Sequence, residues 1–315
     1  MKIVGLTLIS LIILSISAKA NENRSLPKVK HMIDTHIHLY DTSRDGGVPW
    51  PPEEDTVLHK PHLPKEFQNE SKKSGLTGVI IVEASHLLKD NRWVLKLVNG
   101  NDFFVGLVGN VNPYRKDFIT QIESLKKDSR FVGVRARNGG NQKKIDFTNP
   151  NIIKNFNYLA KNGISLDILT NGGGVEAVKK IDKLAKKIPS LHIIANHVIG
   201  YDFDGKTVDP EWTKAVESLA KNKNVWCKIS GLYQRSVEQP APKDLSQYNE
   251  ALDILWKNLG EDRLIYGSNW PCTKHTGDYK SYVTLVNQYF SAKGQQACEK
   301  YFWGNASKAY RLNLK

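Results

Sequence analysis

The sequence predicts an α/β protein whose eight parallel strands close into a (β/α)8 TIM barrel, and three observations support this prediction. Short segments rich in Val, Ile, Leu and Phe recur eight times between residues 32 and 269. Windows with apolar residues at helical spacing separate them, which is typical of parallel strands joined by crossover helices. Several segments end in a polar residue, and the carboxyl ends of barrel strands form the active-site face. An open doubly wound sheet is the alternative, but the first strand lacks the glycine-rich dinucleotide turn of that fold.

The first twenty residues predict a signal peptide. Lys2 gives the positive start, residues 3–16 are apolar, and residues 18–20 (AKA) form a small-x-small cleavage site. The apolar run is shorter than the roughly 20 residues that span a membrane, so we expect no stable membrane anchor. We therefore predict cleavage near Ala20, with an uncleaved N-terminal anchor as the alternative, export to the periplasm or the medium, and a single barrel domain over residues 21–315.

Composition limits the partners. The chain has 45 Lys and Arg against 32 Asp and Glu, a formal net charge of +13. Many of the lysines lie in helical windows such as residues 179–187, where a solvated helix face explains them. No basic stripe is interleaved with aromatic residues, so nucleic acid is not an expected partner. The three cysteines form no disulfide or metal framework, although a bridge between Cys227 and Cys272 is left open, as is a homo-oligomer.

The first predicted strand, within residues 32–41, carries His36 and His38. Because side chains alternate along a strand, these two share a face and converge on one point in front of the strand's end. This arrangement suits a divalent metal or an acyl oxygen. The loop that follows, residues 39–63, is long and rich in proline and aromatic residues, which predicts an ordered lid or pocket wall.

The other seven strands are predicted over residues 76–83, 103–111, 131–137, 164–170, 191–197, 225–232 and 264–269. Helical windows between them include residues 118–125, 153–160, 175–184 and 252–259. In a barrel the carboxyl ends of all eight strands meet at one mouth. The polar residues that we assign to this mouth are His36, His38, Glu83, Asn110, Asn112, Arg135, Arg137, Asp167, His197, Lys228, Ser230 and Asn269.

Arg135 and Arg137 lie two residues apart on the fourth strand, so both are predicted to face the lumen or its rim. Guanidinium groups bind carboxylates in bidentate fashion, which would fit a sugar acid or a dicarboxylate as substrate. The alternative is an ion pair with Glu83 or Asp167 inside the barrel.

Lys228 has the inward parity of its strand and is predicted to hold an anionic substrate or a polarised carbonyl. Pairing with a buried carboxylate is the alternative for this lysine. Tyr40, just after the first strand, and Trp270, just after the eighth, complete the predicted substrate contacts. The expected ligand is a small molecule, either anionic or a polyol.

His197 follows an apolar run at the sixth strand and should join His36 and His38 at the mouth. Neutral imidazoles are good ligands for Zn²⁺. We therefore predict one divalent metal ion, zinc or manganese, held by His36, His38 and His197, with a metal-free site as the alternative.

Several motifs also resemble those of a known family: IDTHIH at 33–38, VGVR at 132–135, NHVIG at 196–200, KISG at 228–231, RLIYGSNWP at 263–271 and NASKAYRL at 305–312. Together they resemble the amidohydrolase-related TIM-barrel hydrolases, in the branch of fuconolactonase-like and rhamnonolactonase-like sugar lactonases and pyrone dicarboxylate lactonases. The resemblance spans nearly the whole mature chain. It implies hydrolysis of a lactone or related ester, with His36, His38 and His197 around the reacting carbonyl and, in some members, a divalent metal.

Asn269 is where the sequence departs from this family, because the eighth strand usually ends in an aspartate that handles the proton of the attacking water. An amide can hydrogen-bond but is not a base, and it is a weaker metal ligand. Candidates for the base are His197, His38 and Glu83, followed by Asp41 and Asp167.

Two other functions stay open. Related barrels decarboxylate aromatic or unsaturated acids with the same histidines and a metal, which gives a second enzymatic class. With Asn269 in place of the usual acid, the barrel could also be a non-catalytic ligand-binding protein.

Overall fold

The structure is a computed structural model that describes residues 26–137, 145–170 and 172–314. The predicted signal peptide, residues 1–20, lies outside these residues, as does the segment 138–144. Among the residues described, no helix is long and apolar enough to cross a membrane.

Eight parallel strands form one sheet in sequence order, which confirms the predicted (β/α)8 barrel. The strands are β1 (Ile33–Ile37), β2 (Gly78–Val82), β3 (Phe104–Gly109), β4 (Phe131–Arg137), β5 (Ser165–Leu169), β6 (Ile193–Ala195), β7 (Val225–Ile229) and β8 (Leu264–Tyr266). Backbone bonds from His38 N to Trp270 O (2.8 Å) and from Asn269 N to His36 O (2.8 Å) join the first strand to the segment after the last. These bonds close the barrel at its carboxyl end.

Helices alternate with the strands around the outside. They are α1 (Pro64–Ser71), α2 (Lys89–Leu97), α3 (Phe118–Leu125), α4 (Pro150–Lys161), α5 (Gly174–Lys187), α6 (Pro210–Ala220), α7 (Asn249–Leu259), α8 (Tyr279–Ala292), α9 (Gln295–Glu299) and α10 (Asn305–Tyr310). Proline at the start of α1, α4 and α6 suits a position whose N–H has no helical partner. The main core lies between the strands and these helices.

A second, smaller core fills the barrel interior. Strand residues such as Ile33, Val108 and Ile194 pack there against Ala306, Ala309 and Tyr310 of helix α10. The C-terminal helix therefore closes the end of the barrel opposite the mouth. The three cysteines are all buried and free, so the bridge left open between Cys227 and Cys272 is not formed.

Candidate active site

Three histidines meet at the carboxyl end of the barrel, where the sequence predicts them. The ring centroids of His36 and His38 are 5.0 Å apart, and those of His36 and His197 are 4.5 Å apart. His36 and His38 leave strand β1 on one side, while His197 follows β6 from across the barrel. The barrel closure thus brings together side chains that are distant in the sequence.

The backbone that carries His197 is strained. His197, Val198 and Ile199 have φ values of 48°, 48° and 58°, in the left-handed region that β-branched residues rarely adopt. Such strain persists where the surrounding structure enforces it, and it is frequent at functional sites. Gly231 shows how closely the chain passes this histidine, because a Cβ on it would lie 2.8 Å from His197 Nδ1.

His36 and His197 are neutral at physiological pH. Burial lowers the pKa of His36 well below its ordinary value, and the neighbouring His197 and Lys228 lower it further. Burial also lowers the pKa of His197, followed by the charge of Arg135. Neutral imidazoles can accept protons or donate hydrogen bonds, so these side chains remain available for acid–base chemistry.

The tautomer of His38 follows from its partner. Its Nδ1 lies 3.0 Å from the carbonyl oxygen of Val82, which can only accept a hydrogen bond. In the neutral ring Nδ1 therefore carries the proton and Nε2 carries the lone pair. The neighbouring His197 makes a different contact, from Nδ1 to Ser230 Oγ at 2.9 Å, and a hydroxyl permits either tautomer.

Arg135 and Glu83 form a buried ion pair with each other. Arg135 Nε donates to Glu83 Oε1 at 2.6 Å, and both side chains are at most 4% exposed. Arg135 Nη1 also lies 3.4 Å from His36 Nε2. The structure thus contains the ion pair with Glu83 that the sequence leaves open as the alternative for Arg135. Glu83, offered as a base from the sequence, has its charge matched by this guanidinium.

Lys228 forms a buried ion pair, which is the alternative that the sequence leaves open for this lysine. Its ammonium donates to Asp167 Oδ2 at 2.7 Å and to the backbone oxygen of Thr35 at 2.8 Å, and its side chain is fully buried. Asp167 also accepts from Asn196 Nδ2 and from the Tyr310 hydroxyl. This carboxylate is fully engaged as a structural anion, so it is also a poor candidate for the base.

Tyr40 and Trp270 are buried as well, and each side chain forms a hydrogen bond within the protein. The Tyr40 hydroxyl donates to Leu58 O, and Trp270 Nε1 donates to Glu70 Oε2. Trp50, which the sequence did not single out, lies against both His38 and Tyr40 at centroid distances of 5.6 and 5.3 Å. The long loop therefore places at least one aromatic side chain beside the histidines.

Asn269 stands at the mouth beside the histidines, 6% exposed and with φ of 62°. Its Nδ2 donates to Gln234 Oε1 at 3.2 Å, and Gln234 Nε2 donates to Cys272 O at 2.8 Å. Sequence reasoning missed Gln234 because it lies in a loop past β7, where neither parity nor a motif identifies it. Arg137 ends β4, but its side chain lies outside the described residues.

The residues described do not fit the predicted three-histidine metal site. Across this part of the chain, no group of three or more His, Cys, Asp and Glu side chains is arranged to hold a metal ion. Arg135 Nη1 approaches His36 Nε2, where a second cation would be repelled. Asn269 supplies no charge to balance a divalent ion. The chemical steps proposed for this site therefore involve no metal.

Comparisons with known proteins agree with this architecture. The family model described as Amidohydrolase matches residues 33–312. A protein named L-fucono-1,5-lactonase from Burkholderia ambifaria is 26% identical over 288 residues, which cover 89% of this chain and 96% of that protein.

Two solved structures show that the fold is shared. An amidohydrolase from Burkholderia multivorans with bound zinc superposes with a TM-score of 0.79 at 19% identity, covering 90% of this chain and 99% of the other. A probable 2-pyrone-4,6-dicarboxylic acid hydrolase from Acinetobacter baumannii, with citric acid bound, gives 0.71 at 19% identity, covering 89% and 99%.

Proposed function

This chain belongs to the amidohydrolase family, and from that premise we propose that it is a hydrolase that opens a lactone by attack of water on the ring carbonyl. The observation that carries this proposal is the convergence of three imidazoles at the mouth, two of them held neutral by burial. The similarity to a named L-fucono-1,5-lactonase over most of both chains supports the choice of a lactone.

We assign the base to His38. Its Nδ1 proton is committed to the Val82 carbonyl, so Nε2 takes the proton of the attacking water while the water oxygen bonds to the lactone carbon. Arg135 Nη1, which lies 3.4 Å from His36 Nε2, can donate a hydrogen bond to the oxyanion that forms. The ring C–O bond then breaks, the His38 imidazolium returns the proton to the departing oxygen, and the hydroxy acid leaves.

The paired charges favour an uncharged substrate, such as a polyol sugar lactone. Among the side chains described, the cations near the mouth each have a carboxylate partner: Arg135 with Glu83, Lys228 with Asp167, and Arg235 with Asp202. A dicarboxylate would need a cation whose charge is not already matched, since desolvating an anion is expensive. We also propose that the enzyme acts after export, in keeping with its signal-peptide pattern.

The test compares His38→Asn with a matched control, His192→Asn. His192 also contacts a backbone carbonyl through Nδ1 (Ala309 O, 3.0 Å), but at the closed end of the barrel. Turnover of a panel of aldonolactones and of 2-pyrone-4,6-dicarboxylate is followed by acid release. His38→Asn should lower kcat by about 10²–10⁴-fold, as expected for a lost general base, while His192→Asn stays near wild type.

Undiminished activity of His38→Asn would contradict the assignment of the base. Release of carbon dioxide from an aromatic or unsaturated acid would favour a decarboxylase. No turnover of any lactone by the wild type would favour a ligand-binding protein.

A further inference from the structure

A chain of two carboxamides ends at the mouth, and its direction can be read from its far end. The carbonyl oxygen of Cys272 only accepts hydrogen bonds, so the atom of Gln234 that lies 2.8 Å from it must be Nε2. Oε1 of Gln234 then faces Asn269, and because Oε1 also only accepts, its partner must be Asn269 Nδ2. One backbone carbonyl therefore fixes the orientation of both amides.

The orientation of the two amides limits the direction in which Asn269 Oδ1 can point. The oxygen and nitrogen of a planar carboxamide diverge from its carbon, so Asn269 Oδ1 is not directed at Gln234 Oε1 when Nδ2 is. Asn269 Nδ2 and His197 Nδ1 border the same point, since a Cβ on Gly231 would lie 3.5 Å from the first and 2.8 Å from the second. The backbone N–H of Asn269 bonds to His36 O, which ties the residue to the histidine strand.

We infer that Gln234 is a positioning residue, which holds the Asn269 carboxamide so that Oδ1 accepts a hydrogen bond from the attacking water. This role rests on the proposed function, because it assumes that water is the nucleophile. The water then has an acceptor in Asn269 and a base in His38. A carboxylate at position 269 would instead face Gln234 Oε1, and two acceptors repel each other. The loop after β7 is thus built for an amide at this position.

The inference predicts that Gln234→Leu has opposite effects on stability in two backgrounds. With Asn269 present, leucine removes two hydrogen bonds, the one from Asn269 Nδ2 and the one to Cys272 O, and should lower the melting temperature by about 2–4 °C. In an Asn269→Asp background leucine removes an opposed acceptor and should raise the melting temperature at pH 7.5 relative to Asn269→Asp alone. The cations Arg135 and Arg235 act on the new carboxylate with either residue at 234, so their contribution cancels in this comparison.

Kinetics test the positioning role itself. Gln234→Leu should lower kcat for a lactone substrate about tenfold with KM nearly unchanged, since the water and not the substrate loses its orientation. Asn269→Asp should lose activity at pH 7.5 and recover part of it in the Gln234→Leu background.

Each outcome has a definite meaning. The reversal of sign together with the selective loss of kcat supports the inference. Equal effects of Gln234→Leu in both backgrounds, a rise in activity for Asn269→Asp with Gln234 intact, or an unchanged kcat in Gln234→Leu would each overturn it. A reversal of sign in a protein that turns over no lactone would support the amide chain and overturn the proposed function instead.

Discussion

The buried pair of Lys228 and Asp167 gives the sharpest quantitative test of how the site is supported. Both side chains are fully buried and their charged atoms are 2.7 Å apart. Replacing Lys228 with methionine keeps the length of the side chain but leaves Asp167 with only the neutral donors Asn196 and Tyr310. Removing one partner of a buried ion pair destabilises a protein by about 3–5 kcal/mol. We expect a loss of this size at pH 7.

A second substitution should recover much of that loss. In the double variant Lys228→Met/Asp167→Asn no charge is buried at this pair, and the carboxamide that replaces the Asp167 carboxylate can keep accepting from the Tyr310 hydroxyl. The amide nitrogen of that carboxamide needs an acceptor, so the Asn196 side chain must turn its amide group and present Oδ1 to it. In the wild type, Asn196 Oδ1 is buried without a partner. The turned Asn196 amide nitrogen then takes the unpartnered place, while the Thr35 carbonyl oxygen loses its Lys228 donor, so the recovery should be incomplete.

Urea unfolding followed by circular dichroism measures these differences. The deficit of Lys228→Met should shrink as pH falls, because the unpaired Asp167 carboxyl can take up a proton and become neutral. If Lys228→Met unfolds within about 0.5 kcal/mol of wild type, a change typical of surface substitutions, while KM rises, Lys228 contacts the substrate and the structural role is wrong.

Two further predictions concern pH and metal. Burial raises the pKa of Asp34 from 3.8 to about 6, so ionisation of this carboxyl lowers stability as pH rises from 3.8 to 6, by about 3 kcal/mol in all. Asp34→Asn should remove this pH dependence in urea unfolding, and an identical pH profile in the variant would contradict it. Chelator treatment or added zinc should leave lactone turnover unchanged. The prediction is wrong if elemental analysis finds one equivalent of zinc or manganese that is lost in His36→Ala, because the histidines then hold a metal.

The fold and the place of the site could be predicted from the sequence because both depend on local periodicity. Alternation along β1 is enough to put His36 and His38 on one face, and eight strand-like segments separated by helical windows are enough to expect a barrel. The barrel rule then places His197 at the same mouth. None of these predictions depends on which side chains contact each other across the lumen.

The partners of the charged residues could not be predicted in the same way. Parity shows that Arg135 and Lys228 face inward, but it does not show how deep each lies or what stands opposite. Both ion pairs join alternate strands, β2 with β4 and β5 with β7, as do the side-chain layers of a barrel. This layer rule was the available signal, and it would have favoured Glu83 and Asp167 as partners over a substrate carboxylate.

The two ion pairs also explain how the site holds neutral histidines next to buried cations. Arg135 and Lys228 both lower the pKa of His36 and His197, after burial itself. Each cation is balanced by its own carboxylate, so its influence on the imidazoles is local and the mouth gains no net charge. A buried neutral imidazole stays unprotonated and needs no counter-ion. A site of this kind compensates for the missing acid by placing the water, which is the task that we assign to Asn269 and Gln234.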